Sequence, residues 1–509
     1  MWWIALYLPQ WPLEALGAPR PEAVEDASGL VCVGAVAAQA GVRPGMSRAA
    51  AELCRPGLKL QPRQPEQEAR ALRTLALAAL RFSPNLQLRP DGLLIEVQAS
   101  LRLFGGPVRL WQQFQRVMAS FEVSIHWAAA PFPEAAWLLA RVRGPGRQAA
   151  GRQAWALGPP LGVAQSRQAQ AVRPALDALP VPLVLQAWQA PPATEQLLEG
   201  WGVATLGQWR ALPRAGLQRR LGPEAMLRLD RAYGLAPDPR PFWVPPAAFD
   251  ERLDLPERSR DLGLIAQALH HLLQALEGWL VAQGRLARAL TLHLLHETRR
   301  HEAWPDTVYP LRLAAAEQAA EPLHRLWAER LQRQAVVAPV AALRLVLQVS
   351  ERAESPELQR ALPGSPGLQD PADTHHALAR LLDRLQARLG EQAVQGLRCH
   401  DDHRPEKASA CVALTGPTET LAARLPAAPR PFWLLAEPEP LGEHQGRPVH
   451  QGAVLVLRSR PERIEAGWFD GEPVCRDYQV AEGPDHRLRW VFRERRGPQP
   501  AWFLHGWFN

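Results

Sequence analysis

The sequence predicts a multidomain α+β protein: an N-terminal layer of mixed strands and helices, a glycine-punctuated helical segment, a βαββαβ unit and a β-rich C-terminal domain. Three observations predict it. The chain has 509 residues, room for about three or four domains at roughly 150 residues each. Apolar periodicity switches between strand and helix spacing in a definite order along the chain. Roughly the last 60 residues alternate short β-type runs with turn signals such as Asp470-Gly471 and Gly483-Pro484.

The first domain is expected over residues 1–150. Met1 to Leu8 reads as a buried strand rather than a signal peptide, because it lacks a cationic flank and is cut short by Pro9 and Pro12. Glu66 to Leu80 is helical, Gly92 to Val97 strand-like, Val108 to Phe121 helical, Glu122 to Ala129 strand-like and Pro133 to Val142 helical. This order suggests an α+β layer rather than a long parallel sheet. Gly144 to Gln168 reads as a loose connection.

Residues 177–243 are expected to be short helices. Within them Leu198-Glu199-Gly200-Trp201-Gly202-Val203-Ala204-Thr205-Leu206-Gly207 reads as a helix end, a Gly-x-Gly turn and a second helix, a helix-hairpin-helix pattern. Gly200 and Gly202 would let the backbone approach a phosphate, and Val203 and Thr205 lead into a helix start with free N–H donors. An ordinary helix C-cap is the alternative.

Residues 246–352 carry the βαββαβ order: strand Phe249 to Leu255, helix Leu262 to Gln283, strands Leu286 to His296 and Thr307 to Ala314, helix Glu317 to Arg333, strand Ala342 to Val349. Arg285, Arg288, Arg299, Arg300 and Arg344 decorate either a nucleic-acid-facing sheet surface or a solvated edge. Residues 353–373 form a linker rich in Pro, Gly and Ser. The C-terminal region, 374–509, opens with a helix from Thr374 to Leu389 and closes in a β-meander. Core packing explains most of the tail aromatics, but Trp507-Phe508 is hard to bury fully, and Trp502, Phe503, Trp507 and Phe508 are the candidate partner anchors.

Hydrophobic residues make up 47% of the chain and charged residues 21%, a composition that excludes wholesale disorder. No apolar run reaches the roughly 18 residues of a membrane span. There are 58 basic and 51 acidic residues, and every basic residue except Lys59 and Lys407 is arginine. With 50 prolines, part of that arginine excess reflects a GC-rich coding bias. The net charge of +7 permits a nucleic-acid partner without requiring one. Five scattered cysteines, Cys32, Cys54, Cys399, Cys411 and Cys475, fit a reducing cytoplasm. Cys399-His400-Asp401-Asp402-His403 with Cys411 is zinc-capable by residue type, but its spacing fits no standard site and it reads as a polar turn. The pairs His270-His271 and His375-His376 read as surface residues. No Walker-type loop occurs, so intrinsic ATP use is not indicated, and no cofactor is expected.

The first 145 or so residues resemble the catalytic core of Y-family translesion DNA polymerases. The resemblance runs through Ala40-Gly41-Val42-Arg43-Pro44-Gly45-Met46, Ala51-Glu52-Leu53-Cys54 and Leu58-Lys59-Leu60. It continues from Phe82-Ser83-Pro84 through Asp91-Gly92-Leu93-Leu94-Ile95-Glu96-Val97 to Ser100-Leu101-Arg102-Leu103-Phe104-Gly105, and then Ala130-Pro131 and Leu138-Leu139-Ala140-Arg141. It implies a palm and fingers over residues 1–150, a helix-hairpin-helix thumb, and a βαββαβ little finger. In that family two Mg²⁺ ions are held by carboxylates. The resemblance places Tyr7 and Asp91-Gly92 at those positions, so one carboxylate of three remains and no metal is expected. Ala35 and Ala38 fall where the family holds the triphosphate. Glu14 and Glu96 are the candidates for displaced acids.

The tail strings Pro461-Glu462-Arg463-Ile464-Glu465, Gly467-Trp468-Phe469-Asp470-Gly471, Arg476-Asp477-Tyr478 and Trp502-Phe503-Leu504-His505-Gly506, with Asp402-His403-Arg404-Pro405-Glu406, resemble a catalytically degenerate branch of the family. That resemblance implies a cytoplasmic, nucleoid-associated scaffold of a bacterial SOS mutasome. Its partners would be primer–template or damaged DNA, the sliding clamp, a RecA-like accessory protein and an error-prone C-family DNA polymerase. The alternative is an active translesion polymerase with displaced acids. Gln359 and Leu362, in Gln359-Arg360-Ala361-Leu362-Pro363, have the separation of a clamp-binding peptide and lie where the family keeps one.

Overall fold

The strand Trp3–Tyr7 has apolar residues on both faces, and both are covered: Ile4 and Leu6 join one core, Trp3 and Ala5 another. Side chains alternate across a strand, so a continuous apolar run needs a helical layer on each side. The computed structural model describes residues 2–15, 20–142, 172–296, 304–333, 336–353, 371–390, 392–413, 429–496 and 501–508. They divide into two units, Met1–Arg388 and Leu389–Asn509.

In the first unit Trp3–Tyr7 is an inner strand of a four-stranded antiparallel sheet, flanked by Gly92–Glu96 and His126–Ala130, with Leu86–Arg89 at the edge. The helix Pro65–Ala79 packs beneath it, and Pro133–Val142 covers the other face. A small three-stranded sheet, Ala23–Asp26, Gly29–Val33 and Leu60–Pro62, was not expected; its strands are too short for periodicity to reveal.

The helices Val181–Trp188, Pro192–Gly200, Leu206–Ala211 and Arg214–Tyr233 share a core with Pro133–Val142 through Leu138, Val184, Leu198 and Trp209. The βαββαβ unit follows as expected: Asp250–Ser259, Leu262–Gln283, Arg285–His296, Thr307–Glu317, Ala320–Arg333 and Val340–Arg352. Its antiparallel sheet runs Thr307–Glu317, Arg285–His296, Val340–Arg352, Asp250–Ser259. Asp261 caps the long helix by accepting from Gly263 N–H at 2.8 Å, and Gly284, at φ +61°, ends it.

That long helix lies directly on Pro65–Ala79. Gly278 is the point of closest approach: a β-carbon there would lie 2.0 Å from the Leu77 carbonyl oxygen. Arg73–Glu251 (2.7 Å) and Arg70–Asp254 (2.8 Å) ion pairs tie the helix Pro65–Ala79 to the strand Asp250–Ser259 as well. One continuous core joins the N-terminal sheet and the βαββαβ unit. His271, expected at the surface, is part of the same junction. It bonds the Ser120 carbonyl at 2.7 Å and stacks on Phe121. The side chains of His375-His376 lie outside the described residues.

The helix Pro371–Leu389 was expected to open the C-terminal region, but residues up to Arg388 belong to the first unit. Asp383 accepts from Ala314 N–H (2.7 Å), Arg380 pairs with Glu317 (2.7 Å), and Ala387 is buried. The helix thus closes the irregular end of the strand Thr307–Glu317.

The second unit contains a hairpin, Gln395–Cys399 with Ser409–Ala413, and a large antiparallel sheet. The last strand, Trp502–Trp507, is interior, between Trp433–His444 and Leu488–Glu494. The terminal aromatics expected as partner anchors therefore lie in or beside an interior strand. Trp502 is buried, and Phe503, Trp507 and Phe508 are half-buried in the two tail cores. The prolines of the partner strand Trp433–His444 sit at and beside a register shift between Leu434 and Glu439.

Candidate functional site

Tyr7 ends its strand directly opposite Gly92 on one side and His126 on the other. Asp91 lies in the turn just before Gly92, its carbonyl accepting from Leu8 N–H at 2.9 Å. Tyr7 and Asp91 therefore meet at one end of the sheet. Both side chains are engaged there. Burial pushes the Tyr7 phenol above its ordinary range, so it stays protonated at neutral pH. The Asp91 carboxylate is taken by Arg141, with Nη1 to Oδ2 at 2.6 Å. The same guanidinium lies 5.0 Å from the centre of the Tyr7 ring, where a cation is drawn to the π-face. His126 and Trp137 close the remaining sides, edge-on to Tyr7. Arg141, Trp137 and His126 were not singled out from the sequence as site residues. Only the topology brings them to Tyr7.

Gly92 leaves no room for a side chain. A β-carbon there would sit 1.9 Å from the Leu6 carbonyl oxygen and 3.1 Å from Trp137, so an acid cannot enter without backbone movement. The two candidate displaced acids point elsewhere. Glu14 accepts from Ser124 N–H and Oγ–H at 2.9 and 2.6 Å. Glu96 lies opposite Trp3, at the far end of the strand, accepting from Asn85 and from Gln98 N–H. Among the described residues no group with metal-ligand geometry includes Asp91. Ala35 and Ala38 lie on the short helix Ala35–Gln39, where methyl side chains offer a triphosphate neither charge nor hydroxyl.

The helical hairpin forms, with Gly202 at φ +70° in its turn, but its donors are not free. Thr205 and Gln208 make a capping box. Gln208 Oε1 accepts from the Ala204 and Thr205 N–H groups, and Thr205 Oγ1 accepts from Gln208 N–H. The N–H groups of Gly202 and Val203 bond Glu199 and Leu198 carbonyls, and Val203 is buried. The expected phosphate cradle of Gly200, Gly202, Val203 and Thr205 is thus a self-satisfied turn, which corrects that reading.

The sheet face turned away from the long helices is the better anion surface. Arg344 lies in register with Arg252 on one neighbour and His293 on the other, and exposed Arg312 extends the face on the outer strand. Arg252 and Arg312 were missed because arginines are frequent throughout the chain. Arg344 is held by Asp250 at 2.5 and 2.7 Å. Arg285 is exposed and donates to Ser350. Arg288 instead braces the sheet, donating to Glu351 and the Ala314 carbonyl. Arg299 and Arg300, and the clamp-peptide residues Gln359 and Leu362, lie outside the described residues.

In the tail, Arg404 organises the segment read as a polar turn. Only 2% exposed, it donates to Asp402, Asp470 and the Glu472 carbonyl. Asp470 is held well below the usual carboxylate range by Arg404. This cluster fixes the hairpin tip that carries Trp468 and Phe469, which are 81% and 63% exposed. Phe432 and Trp433, at 85% and 73%, are a second exposed pair. Among the described residues these are open aromatic surfaces of the tail, more exposed than the terminal aromatics.

The tail also holds a buried acid-sensitive group. His505 is fully buried, its Nδ1 2.7 Å from Tyr478 Oη, and burial lowers its pKa to about 4. Because the folded value lies below the ordinary one of about 6.5, the unfolded chain takes up the proton first. The contribution is present above pH 6.5 and is lost as pH falls towards 4. Amide exchange in the strands Leu488–Glu494 and Trp502–Trp507, corrected for intrinsic rate, should accelerate between pH 7 and pH 5. His505→Asn should remove that dependence. Equal acceleration in wild type and variant would assign the acid sensitivity elsewhere.

Comparison with known proteins gives a consistent result. Residues 14–141 match the impB/mucB/samB family. Over 502 residues the chain is 29% identical to Protein ImuB of Caulobacter vibrioides, in strains NA1000 and CB 15, covering 92% of this chain and all of that protein. Similar solved structures include the insertion ternary complex of Dbh DNA polymerase (15% identity, TM-score 0.36) and DinB from Sulfolobus solfataricus (14%, 0.34). Each covers 68% of this chain and 98% of the other. The chain is thus similar to Protein ImuB over nearly its whole length, with the impB/mucB/samB similarity confined to residues 14–141.

Proposed function

We propose, from homology to ImuB over nearly the whole chain, that this protein is a non-catalytic DNA-binding scaffold of a DNA-damage mutasome. In this reading it links the sliding clamp, a RecA-like accessory protein (ImuA) and an error-prone C-family DNA polymerase during translesion synthesis and induced mutagenesis. The observation that carries the reading is Arg141, a cation seated against both Asp91 and Tyr7 where a polymerase needs two divalent ions. DNA contact is assigned to the face bearing Arg252, Arg312 and Arg344, with Arg285 beside it. Their ion pairs with Asp250 and Asp254 are exposed, and such pairs contribute ~0–1 kcal/mol, so a phosphate can displace them. No helix among the described residues is long and apolar enough to cross a membrane, and a cytoplasmic, nucleoid-associated location goes with the proposal.

Partner docking is assigned to the tail, with Trp468 and Phe469 as anchors. Exposed aromatics on a rigid support are the usual centres of binding energy, each costing ~2 kcal/mol or more when cut to alanine. Trp468→Ala with Phe469→Ala should therefore lower capture of the accessory protein or the polymerase at least tenfold, with clamp and DNA binding kept. Trp507→Ala with Phe508→Ala should instead destabilise the tail. Full capture of both partners by the Trp468/Phe469 variant would move the anchors to Phe432 and Trp433 or beyond.

The clamp contact is assigned to Gln359 and Leu362. Gln359→Ala with Leu362→Ala should abolish clamp pull-down while tail partners and DNA still bind. Unchanged clamp affinity would move the contact elsewhere in the chain.

A further inference from the structure

The helices Leu262–Gln283 and Ala320–Arg333 pack side by side in the βαββαβ unit. His270 projects from the first. Glu321 and His324, three residues apart and so on one face of the second, meet it. One ligand atom from each of the three lies within 4.8 Å of the others. The two imidazole centroids are 5.0 Å apart at 73°.

Hydrogen bonding sets the ring nitrogens. His324 Nε2 lies 3.1 Å from the Ala266 carbonyl, which can only accept, so Nε2 carries the hydrogen and Nδ1 a lone pair. The Gln274 amide lies between Ser120 Oγ (2.8 Å) and His270 Nε2 (2.9 Å). Ser120 has one hydroxyl hydrogen, and the Val117 carbonyl takes it at 2.7 Å. Gln274 must then turn its NH₂ to Ser120 and its oxygen to His270 Nε2–H, an orientation set by the bonding network. That leaves a lone pair on His270 Nδ1, an atom that is buried without a hydrogen-bond partner.

We propose that His270, Glu321 and His324 bind one divalent first-row transition-metal ion of the Zn²⁺ class. Two imidazoles and a carboxylate suit such an ion, whereas Mg²⁺ and Ca²⁺ require oxygen ligands. Water completes the coordination on the Glu321 side, which is exposed. The ion pair of Glu321 with Arg325 is likewise exposed, so the metal displaces it at little cost. His270 is backed by Gln274 and Ser120 in the way metal-bound histidines are oriented by a second hydrogen bond. The ion therefore clasps the two helices to each other, and the Ser120 end of that relay ties them to the N-terminal layer.

The test is Co²⁺ and Zn²⁺ titration of untagged, chelator-treated full-length protein. Wild type should bind one equivalent more than His270→Ala with His324→Ala, should develop visible Co²⁺ bands that the variant lacks, and should melt higher with Zn²⁺. Comparison with the variant removes any contribution from exposed cysteines. Glu321→Gln, at an exposed position, should weaken the same equivalent without altering the metal-free melt, and Gln274→Ala should weaken it ~10–100-fold. Equal metal uptake and spectra in wild type, the double variant and Glu321→Gln would overturn the site.

Discussion

Given primer–template DNA, Mg²⁺ or Mn²⁺ and all four nucleotides, the purified full-length protein is expected to bind the DNA and add nothing to the primer. Binding should weaken steeply with salt and vary little with sequence, as phosphate contacts dictate. The failure of extension has several independent causes, which makes its expected effect the largest here. The Tyr7 phenol stays protonated, and the Asp91 carboxylate is paired with Arg141. A β-carbon at Gly92 would meet the Leu6 carbonyl, and Ala35 and Ala38 leave a triphosphate unheld. A single lost transition-state contact commonly costs ~10²–10³ in rate, so under the scaffold reading, with neither metal ion nor nucleotide held, turnover should fall below detection. Tyr7→Asp with Gly92→Glu should also stay inactive, because Arg141 remains and the Gly92 site admits no side chain. Metal-dependent extension by wild type that disappears in Asp91→Ala would refute the scaffold reading.

What was legible in the sequence differs residue by residue. Tyr7 and Gly92 were singled out because the resemblance expects a carboxylate at each position, and the structure sets the two residues opposite each other across the sheet. Arg141 was quoted in that match, yet its role depends on a helix crossing the end of the sheet, a tertiary fact that spacing does not encode. The βαββαβ order was readable because long amphipathic helices and alternating strands carry strong periodic signals. The helical hairpin was recognised but its donors were taken as free, although Thr205-Leu206-Gly207-Gln208 carries the Thr-x-x-Gln signature of a capping box, in which Gln208 turns back to occupy them. The terminal aromatics were misplaced for a different reason: strand order in an antiparallel sheet is non-local, and the last strand lies in the interior. Exposed Trp468 and Phe469 could have been found by asking which aromatics sit at a turn, here between the strands Glu462–Ala466 and Val474–Glu482.

The second large effect is expected at Gly278. The helix Leu262–Gln283 touches the helix Pro65–Ala79 backbone to backbone there, and the alanine β-carbon would fall 2.0 Å from the Leu77 carbonyl oxygen and 3.0 Å from that of Ala78. Both neighbours are main chain, so no side chain can swing aside and the helices must separate. Overpacking of this kind costs ~1–3 kcal/mol and occasionally more, against a helix-propensity gain of ~1 kcal/mol for replacing glycine. A clash this deep places the net effect at the upper end, a loss on the order of 2–3 kcal/mol. Gly216→Ala is the control. Gly216 lies within the helix Arg214–Tyr233, and a β-carbon there meets nothing within 4 Å, so the same chemical change should be neutral or slightly stabilising. Thermal melts of both variants separate the two terms. Because the contact joins the βαββαβ unit to the N-terminal sheet through one core, Gly278→Ala should also speed amide exchange in both helices at once. Wild-type stability in Gly278→Ala would mean that the two helices do not meet at this residue, and that the sheet face bearing Arg344 is not held rigidly to the layer that contains Asp91.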